Sequence, residues 1–172
     1  MEPIKRILVV DDEVEAVKSL LRHLWREGFE TDSAFDGLEA GSKLVEASCK
    51  GVPFDLLILD VVMPVLSGID LFKWVKKYYP RTSAIFVSAF GDTDSIMATI
   101  RYGLDCFAQK PFTPRKMMQL IESIDQVRAT NPMNIPELVV RSLEHLSKVS
   151  TQDSTGSDFQ THTDDDLRLP RR

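Results

Sequence analysis

Cysteine is scarce in this sequence, and its placement argues against a cysteine-based site. The chain has two cysteines, Cys49 and Cys106. They form no CxxC pair and neither has a closely spaced histidine partner. The pattern gives no support for a disulfide and favours two free thiols in a reducing compartment.

Long hydrophobic runs are also missing. Nowhere do eighteen apolar residues follow one another, so the sequence predicts no transmembrane helix. The segment of residues 4–10 is followed at once by Asp11, Asp12 and Glu13, which is unlike a secretory signal. We therefore expect a cytoplasmic protein without a membrane partner.

Positive charge is not in excess. The chain has 21 lysines and arginines against 26 aspartates and glutamates, which gives a formal net charge of −5. Such a chain has no global electrostatic attraction to nucleic acid or to an anionic membrane. We expect no direct contact with nucleic acid.

What the sequence does contain is a regular alternation of short apolar runs and amphipathic segments. Strict strand–helix alternation predicts an α/β domain with a doubly wound, five-stranded parallel sheet and helices on both faces. The predicted strands are residues 6–10, 29–34, 54–59, 83–88 and 105–109. The predicted helices are residues 14–27, 37–48, a segment between Ser67 and Pro80, residues 92–102, and a segment that begins at Thr113 and Pro114.

The apolar content falls toward the C-terminus, which divides the chain into parts. Residues 1–129 are predicted to form the domain, and 130–136 ("TNPMNIP") a linker. Residues 137–149 have the pattern of one more amphipathic helix. Residues 150–172 contain too few apolar side chains to offset the entropy of ordering, so we predict a disordered tail.

Charged and hydroxyl side chains follow several of the predicted strands. Asp11 and Asp12 end the first strand, Asp60 the third, Ser88 the fourth, and Lys110 follows the fifth. Taken singly, Asp12 could favour a helix start, Ser88 could satisfy a loop backbone group and Lys110 could be solvated. In an open parallel sheet, however, the carboxyl ends of the strands meet at one edge, so we expect these groups to converge.

The predicted cluster has more negative than positive charge. Two carboxylates about 4 Å apart repel by roughly 4 kcal/mol at an effective dielectric constant near 20, and Lys110 is the one cation at the strand ends. Mg²⁺ suits such oxygen ligands and keeps coordination positions for phosphate. A carboxylate can attack a phosphoryl group while a metal, a lysine and a hydroxyl neutralise the three phosphoryl oxygens. The pattern predicts Asp60 as a phosphoryl acceptor.

Other phosphoryl chemistries fit less well. A phosphatase of the haloacid dehalogenase type would have a second aspartate two residues after its nucleophile, but residue 62 is valine. Neither the P-loop pattern GxxxxGK[ST] nor the dinucleotide pattern GxGxxG occurs in the sequence.

Four motifs follow one another along the chain: "ILVVDDE" (7–13), "DLLILDVVMPVLSGIDL" (55–71), "IFVSAFGD" (85–92) and "GLDCFAQKPF" (103–112). In this order and spacing they resemble the response regulator receiver domain of two-component signalling. The resemblance covers residues 4–128 and implies a flavodoxin-like sheet with strand order 2-1-3-4-5.

The resemblance assigns a role to each residue of the predicted site. Asp60 is expected to accept the phosphoryl group, with Mg²⁺ as cofactor. The Mg²⁺ ligands are expected to be Asp11, Asp12, Asp60 and the backbone carbonyl of Val62, while Ser88 and Lys110 bind phosphoryl oxygens. The resemblance also implies a cis peptide bond between Lys110 and Pro111.

Further positions resemble the parts of the family that switch and that set the phosphoryl lifetime. Ser88 and Phe107 are expected to move on phosphorylation, although Phe107 could equally be an ordinary core residue. Val62 and Phe90 occupy the positions that tune dephosphorylation. Both are apolar and unable to orient a water molecule, so we expect a long-lived aspartyl phosphate.

The predicted function is that of a stand-alone response regulator. A histidine kinase phosphorylates Asp60, and the face formed by residues 92–129 signals through protein–protein contacts, with a phosphorylation-dependent homodimer as one form of output. The protein is not expected to be an enzyme beyond its own phosphorylation and slow dephosphorylation.

Two alternatives to this function stay open. One is a phosphorelay intermediate that passes the group to a histidine phosphotransfer protein, and the other is a phosphate-independent scaffold. Phosphoryl lifetime and partner identity separate the first two functions, and Mg²⁺-dependent phosphorylation separates both from the scaffold. The segment 137–149 either packs on the domain, begins a linker, or is a docking or dimerisation helix released by phosphorylation.

Overall fold

A computed structural model describes residues 2–89 and 105–130 of the chain. The predicted helix at 92–102, Phe90, the predicted amphipathic helix at 137–149 and the predicted tail lie outside the described residues. Among the described helices, none combines the length and the apolar content needed to cross a membrane.

The described residues form five strands and four helices in alternation. The strands are β1 (Arg6–Val10), β2 (Glu30–Ala34), β3 (Leu56–Asp60), β4 (Ser83–Ser88) and β5 (Cys106–Gln109). The helices are α1 (Val14–Arg26), α2 (Gly37–Cys49), α3 (Gly68–Tyr78) and α4 (Pro114–Thr130).

The third strand starts later than the sequence predicts. Residues 54 and 55 were expected in the strand, but β3 begins at Leu56. The carboxylate of Asp55 accepts hydrogen bonds from the backbone N–H groups of Lys5 and Arg6, both at 2.9 Å. Asp55 therefore fixes the chain that leads into β1, and regular strand pairing starts one residue after it.

The five strands form one parallel sheet in the order β2-β1-β3-β4-β5, as the sequence resemblance implied. Their carboxyl ends lie together at one edge of the sheet, called here the carboxyl edge, and their amino ends at the opposite, amino edge. β1 and β3 are neighbours, and Asp60 at the end of β3 is in register with Val87 of β4.

The core lies on both faces of the sheet. α1 and α4 cover one face, where Leu24 and Ile121 pack with Ile58. α2 and α3 cover the other, where the rings of Phe72 and Phe86 meet edge to face at 5.1 Å. Burial of one large apolar side chain stabilises a fold by about 1.5–3 kcal/mol, so the two layers hold the strand ends in place.

Two helix starts follow the capping residues that the sequence indicates. The side chain of Ser67 accepts a hydrogen bond from the N–H of Asp70 at 3.2 Å. The side chain of Thr113 accepts one from the N–H of Lys116 at 3.2 Å, and Pro114 occupies the first helical position. Such caps satisfy backbone donors that have no partner within the helix.

One residue in the loop between β3 and α3 has a strained backbone. Val65 has φ of +67°, the left-handed region that side chains branched at Cβ rarely adopt. Its side chain is 79% exposed, so packing does not compensate for this conformation. The conformation of the loop from Asp60 to α3 is therefore imposed by the elements at its two ends and not by the backbone preference of valine at position 65.

Val65→Gly is expected to stabilise the protein by about 0.5–1 kcal/mol. Glycine removes the cost of the left-handed conformation, which is roughly 1–2 kcal/mol for other residues. Part of this gain is lost because glycine gives the unfolded chain more conformational entropy. Chemical denaturation measures the change. The control is Val52→Gly, an exposed loop valine without positive φ, which we expect to be destabilising. Equal effects of the two substitutions would contradict the strain at Val65.

Candidate functional site

Three carboxylates meet at the carboxyl edge, as predicted. Asp11 and Asp12 follow β1, and Asp60 ends the neighbouring strand β3. One oxygen from each carboxylate lies within 4.8 Å of the other two. Asp11 and Asp60 are 7% and 8% exposed, whereas Asp12 is open to solvent. The cluster is thus buried on one side and accessible on the other.

Lys110 is the cation of this cluster. Its ammonium nitrogen is 2.7 Å from Oδ2 of Asp11 and 2.6 Å from Oδ2 of Asp60. The backbone N–H of Lys110 donates to the carbonyl of Ser88 at 2.7 Å, which joins the end of β5 to the end of β4. The bond between Lys110 and Pro111 is cis, as the resemblance implied.

Backbone N–H groups orient the two buried carboxylates. Oδ1 of Asp60 accepts from the N–H of Val62, and Oδ1 of Asp11 accepts from the N–H of Glu13, both at 2.9 Å. Each carboxylate therefore has one oxygen on a fixed backbone donor and the other on Lys110. This arrangement holds both groups at defined positions without a third side chain.

Burial and charge set the ionisation of the site. Burial raises the pKa of Asp60, and the negative charge of Asp11 adds to this, while hydrogen bonds from Lys110 and from the N–H of Val62 only partly oppose it. Burial acts to lower the pKa of Lys110, but its hydrogen bonds to Asp11 and Asp60 raise it overall. Lys110 therefore stays a cation, and an ionised Asp60 carries a charge that the site compensates incompletely.

This donor set fits a hard divalent cation. All three side chains offer carboxylate oxygens, which Mg²⁺ prefers, and among the described residues the ion pairs of this cluster come from Lys110, which contacts Asp11 and Asp60. Asp11, Asp12 and Asp60 are the residues that would hold the ion. The contribution of the Val62 carbonyl stays a prediction, since the contacts of Val62 involve its N–H group.

The other predicted residues lie around the cluster. Ser88 ends β4, is 2% exposed, and its hydroxyl donates to the carbonyl of Ala89 at 2.9 Å. Phe107 of β5 is buried in the core on the side of α2 and α3. The side chain of Val62 is 64% exposed beside Asp60. These positions do not test the predicted roles, and the roles of Ser88, Phe107, Val62 and Phe90 stay predictions.

Gly68 is a site residue that the sequence reasoning missed. It starts α3, and a Cβ at this position would lie 1.9 Å from the carbonyl oxygen of Asp60. A glycine at the start of a helix, close after a predicted functional aspartate, is the sequence signal for such a close approach. Any side chain at residue 68 would push α3 away from the backbone of Asp60.

Comparison with known proteins agrees with this fold. The family model described as "response regulator receiver domain" matches residues 7–122. The chain therefore belongs to the response regulator receiver domain family.

Individual relatives support this assignment. The "Transcriptional regulatory protein CpxR homolog" of Haemophilus influenzae is 30% identical over 142 residues, which is 83% of this chain and 60% of that protein. The "Chemotaxis protein CheY" of Halobacterium salinarum is 31% identical over 121 residues, 70% of this chain and 96% of that protein. The chain thus spans about three fifths of the first relative and nearly all of the second.

Solved structures give the same fold. A receiver domain protein from Clostridium thermocellum has a TM-score of 0.67 at 27% identity, and the match covers 73% of this chain and 98% of that one. The receiver domain of NtrX from Brucella abortus has a TM-score of 0.63 at 30% identity, with 70% and 98% covered.

Asp60→Asn is expected to raise the stability of the metal-free protein at pH 7, since Lys110 and the N–H of Val62 only partly offset the cost of burying the Asp60 charge beside Asp11. Because the pKa of Asp60 is raised on folding, the folded state holds this proton more tightly than the unfolded chain does. The contribution of Asp60 to the stability of the folded state is therefore fully present at low pH, and it is lost as the pH rises through the pKa that Asp60 has in the folded state. Thermal unfolding between pH 4 and pH 7 measures how much more stable Asp60→Asn is than the parent protein, and this difference should become smaller toward pH 4.

The control for this measurement is Asp70→Asn. Asp70 is an exposed carboxylate in the first turn of α3, where negative charge stabilises the helix, so its loss should be slightly destabilising. An Asp60→Asn protein that is less stable than the parent at pH 7 would contradict the electrostatic account of the site.

Proposed function

We propose that this domain accepts a phosphoryl group on Asp60 from a histidine kinase and signals through protein–protein contacts. The observation that supports this best is the contact of Lys110 with both Asp60 and Asp11, beside a third carboxylate at an accessible sheet edge. A nucleophile, a cation and a set of metal ligands within one small cluster are the requirements of phosphoryl transfer to a carboxylate.

In the proposed reaction a carboxylate oxygen of Asp60 forms a bond to phosphorus. The bond from phosphorus to the donor atom breaks, and the donor (a histidine nitrogen, or the acetate oxygen of acetyl phosphate) leaves with the electron pair. Lys110 contacts the nucleophile before the reaction and is placed to neutralise a phosphoryl oxygen as it approaches. Mg²⁺ bound to the three aspartates would supply further neutralisation of phosphoryl charge.

The remaining parts of the proposal follow the sequence analysis. The protein catalyses only its own phosphorylation and slow dephosphorylation, and acts in the cytoplasm. Its output comes from the face that includes residues 92–129, with a phosphorylation-dependent homodimer as one form. α4 supplies the described helix of that face, and it begins at Pro114, four residues after Lys110. A displacement of Lys110 would therefore occur close in sequence to the proposed signalling surface.

The protein incubated with acetyl phosphate and Mg²⁺ is expected to gain the mass of one phosphoryl group. Intact mass spectrometry measures the gain. Omission of Mg²⁺ or the substitution Asp60→Asn should abolish it, while Asp70→Asn, an exposed aspartate outside the site, should leave it unchanged. A protein that gains no mass and does not bind beryllofluoride would instead favour a phosphate-independent scaffold.

Val62→Asn is expected to shorten the lifetime of the aspartyl phosphate by about tenfold. Val62 is exposed beside Asp60, and an amide there could orient an attacking water that valine cannot. Loss of the phosphoryl mass over time measures the decay. The control is Val65→Asn, an exposed valine of the same loop. Unchanged decay in Val62→Asn would refute the role of the apolar side chain.

A further inference from the structure

A second group of buried charges lies at the amino edge of the sheet, opposite the phosphoryl-acceptor site. It consists of Asp105 directly before β5, Lys76 of α3 and Arg128 of α4, and is called here the amino-edge cluster. Asp105 and Arg128 are 1% and 5% exposed, and the side chain of Lys76 is 13% exposed. Buried charges are costly unless paired, and the proposed phosphoryl chemistry uses none of these three.

Asp105 connects the start of β5 to two other elements. Its Oδ2 accepts a hydrogen bond from the N–H of Ala84 in β4 at 2.6 Å and lies 3.2 Å from the ammonium of Lys76. The ladder between β4 and β5 starts at the next residue pair, Ile85 with Cys106. The side chain of Asp105 therefore occupies the place just before the first backbone pairing of β5.

Lys76 is itself held in place. Its ammonium donates to the carbonyl of Thr82 at 3.0 Å and lies 5.6 Å above the ring of Phe72. Arg128 binds the same end of the sheet through the carbonyl of Asp55 at 2.8 Å and the hydroxyl of Ser83 at 3.3 Å. Lys76, the ion-pair partner of Asp105, therefore has a defined position at the amino edge.

β5 is a short strand with ionic contacts beyond both of its ends. Only four residues, Cys106–Gln109, separate Asp105 from Lys110, which corresponds to roughly 16 Å of extended chain. Among the described residues β5 pairs with β4 alone, so its register depends on one ladder. The contacts of Asp105 before the strand and of Lys110 after it together determine where the ammonium group of Lys110 lies.

We propose that Asp105, through its ion pair with Lys76, is a positioning residue that sets the register of β5 and thereby places Lys110 between Asp11 and Asp60. This inference rests on the proposed phosphoryl transfer to Asp60. It assigns to the amino edge a role in the chemistry of the carboxyl edge. Displacement of a catalytic group by about 1 Å can reduce a rate by about 100-fold, so small shifts of β5 matter.

The position of Lys110 has two opposite effects that make the proposal testable. Lys110 aids phosphoryl transfer, but its ammonium also contacts the Oδ2 atoms of Asp11 and Asp60, which are metal-ligand candidates. A displaced Lys110 should therefore slow phosphorylation and, at the same time, compete less with Mg²⁺. General loss of structure would weaken both.

The test uses Asp105→Asn and Lys76→Met, each compared with the parent protein. Asp105→Asn keeps an oxygen that can accept from Ala84 but removes the charge that attracts Lys76. Lys76→Met removes the other partner of the ion pair, and it tests the proposal even if Asp105→Asn does not fold. The control is Lys77→Met, which removes the adjacent, exposed lysine of α3.

Phosphorylation by acetyl phosphate is expected to slow by about tenfold or more in both variants. The Mg²⁺ dissociation constant, measured by titration without phosphate, should fall by about threefold, since the displaced ammonium of Lys110 competes less for the carboxylate oxygens. Lys77→Met should change neither value. Circular dichroism confirms that each variant is folded.

A folded variant that combines slower phosphorylation with tighter Mg²⁺ binding supports the proposal, and any other combination overturns it. Failure of the parent protein to accept a phosphoryl group would refute the proposed function instead. A parent that is phosphorylated, with variants that behave like Lys77→Met, would refute only the role of Asp105.

Discussion

The site depends on the compensation of buried negative charge by a single ammonium group. Lys110, which follows β5, contacts Asp11 and Asp60, although the two aspartates are 99 and 50 residues away in sequence. Without that cation, two carboxylates would lie close together at less than a tenth exposure, which the low polarity of such a place strongly disfavours. The position of β5 relative to β1 and β3 is therefore an electrostatic requirement as well as a matter of packing.

The same incomplete compensation makes the site suited to phosphoryl chemistry. Burial and the charge of Asp11 raise the pKa of Asp60 despite the contact with Lys110, so the ionised site is ready to accept a further cation. The scaffold tolerates this because both core layers pack behind the strand ends and because Gly68 lets α3 approach the backbone of Asp60. A site that is unfavourable by itself is thus maintained by stabilisation elsewhere.

Local patterns predicted much of this arrangement. The apolar runs that became β1, β3 and β4 are recognisable because strands covered on both faces have few polar positions. Ser67 and Thr113 indicated helix starts because their hydroxyls satisfy backbone donors of the next turn. The meeting of Asp11, Asp60 and Lys110 could be predicted because all carboxyl ends of a parallel sheet share one edge. The start of β3 was misplaced because the contacts of Asp55 with Lys5 and Arg6 span 50 and 49 residues of sequence.

Periodicity and chain direction were enough to predict the alternation of strands and helices, the helix caps and the residues at the carboxyl edge. Four features came from the folded chain alone: the oxygens that Lys110 contacts, the close approach that excludes a side chain at Gly68, the positive φ of Val65, and the burial of Asp105 against Lys76. The φ of Val65 goes against the local preference of valine, and the other three features are distances between groups that are apart in sequence. Such distances are set by the packing of two layers on a sheet, and no local pattern of residues contains them.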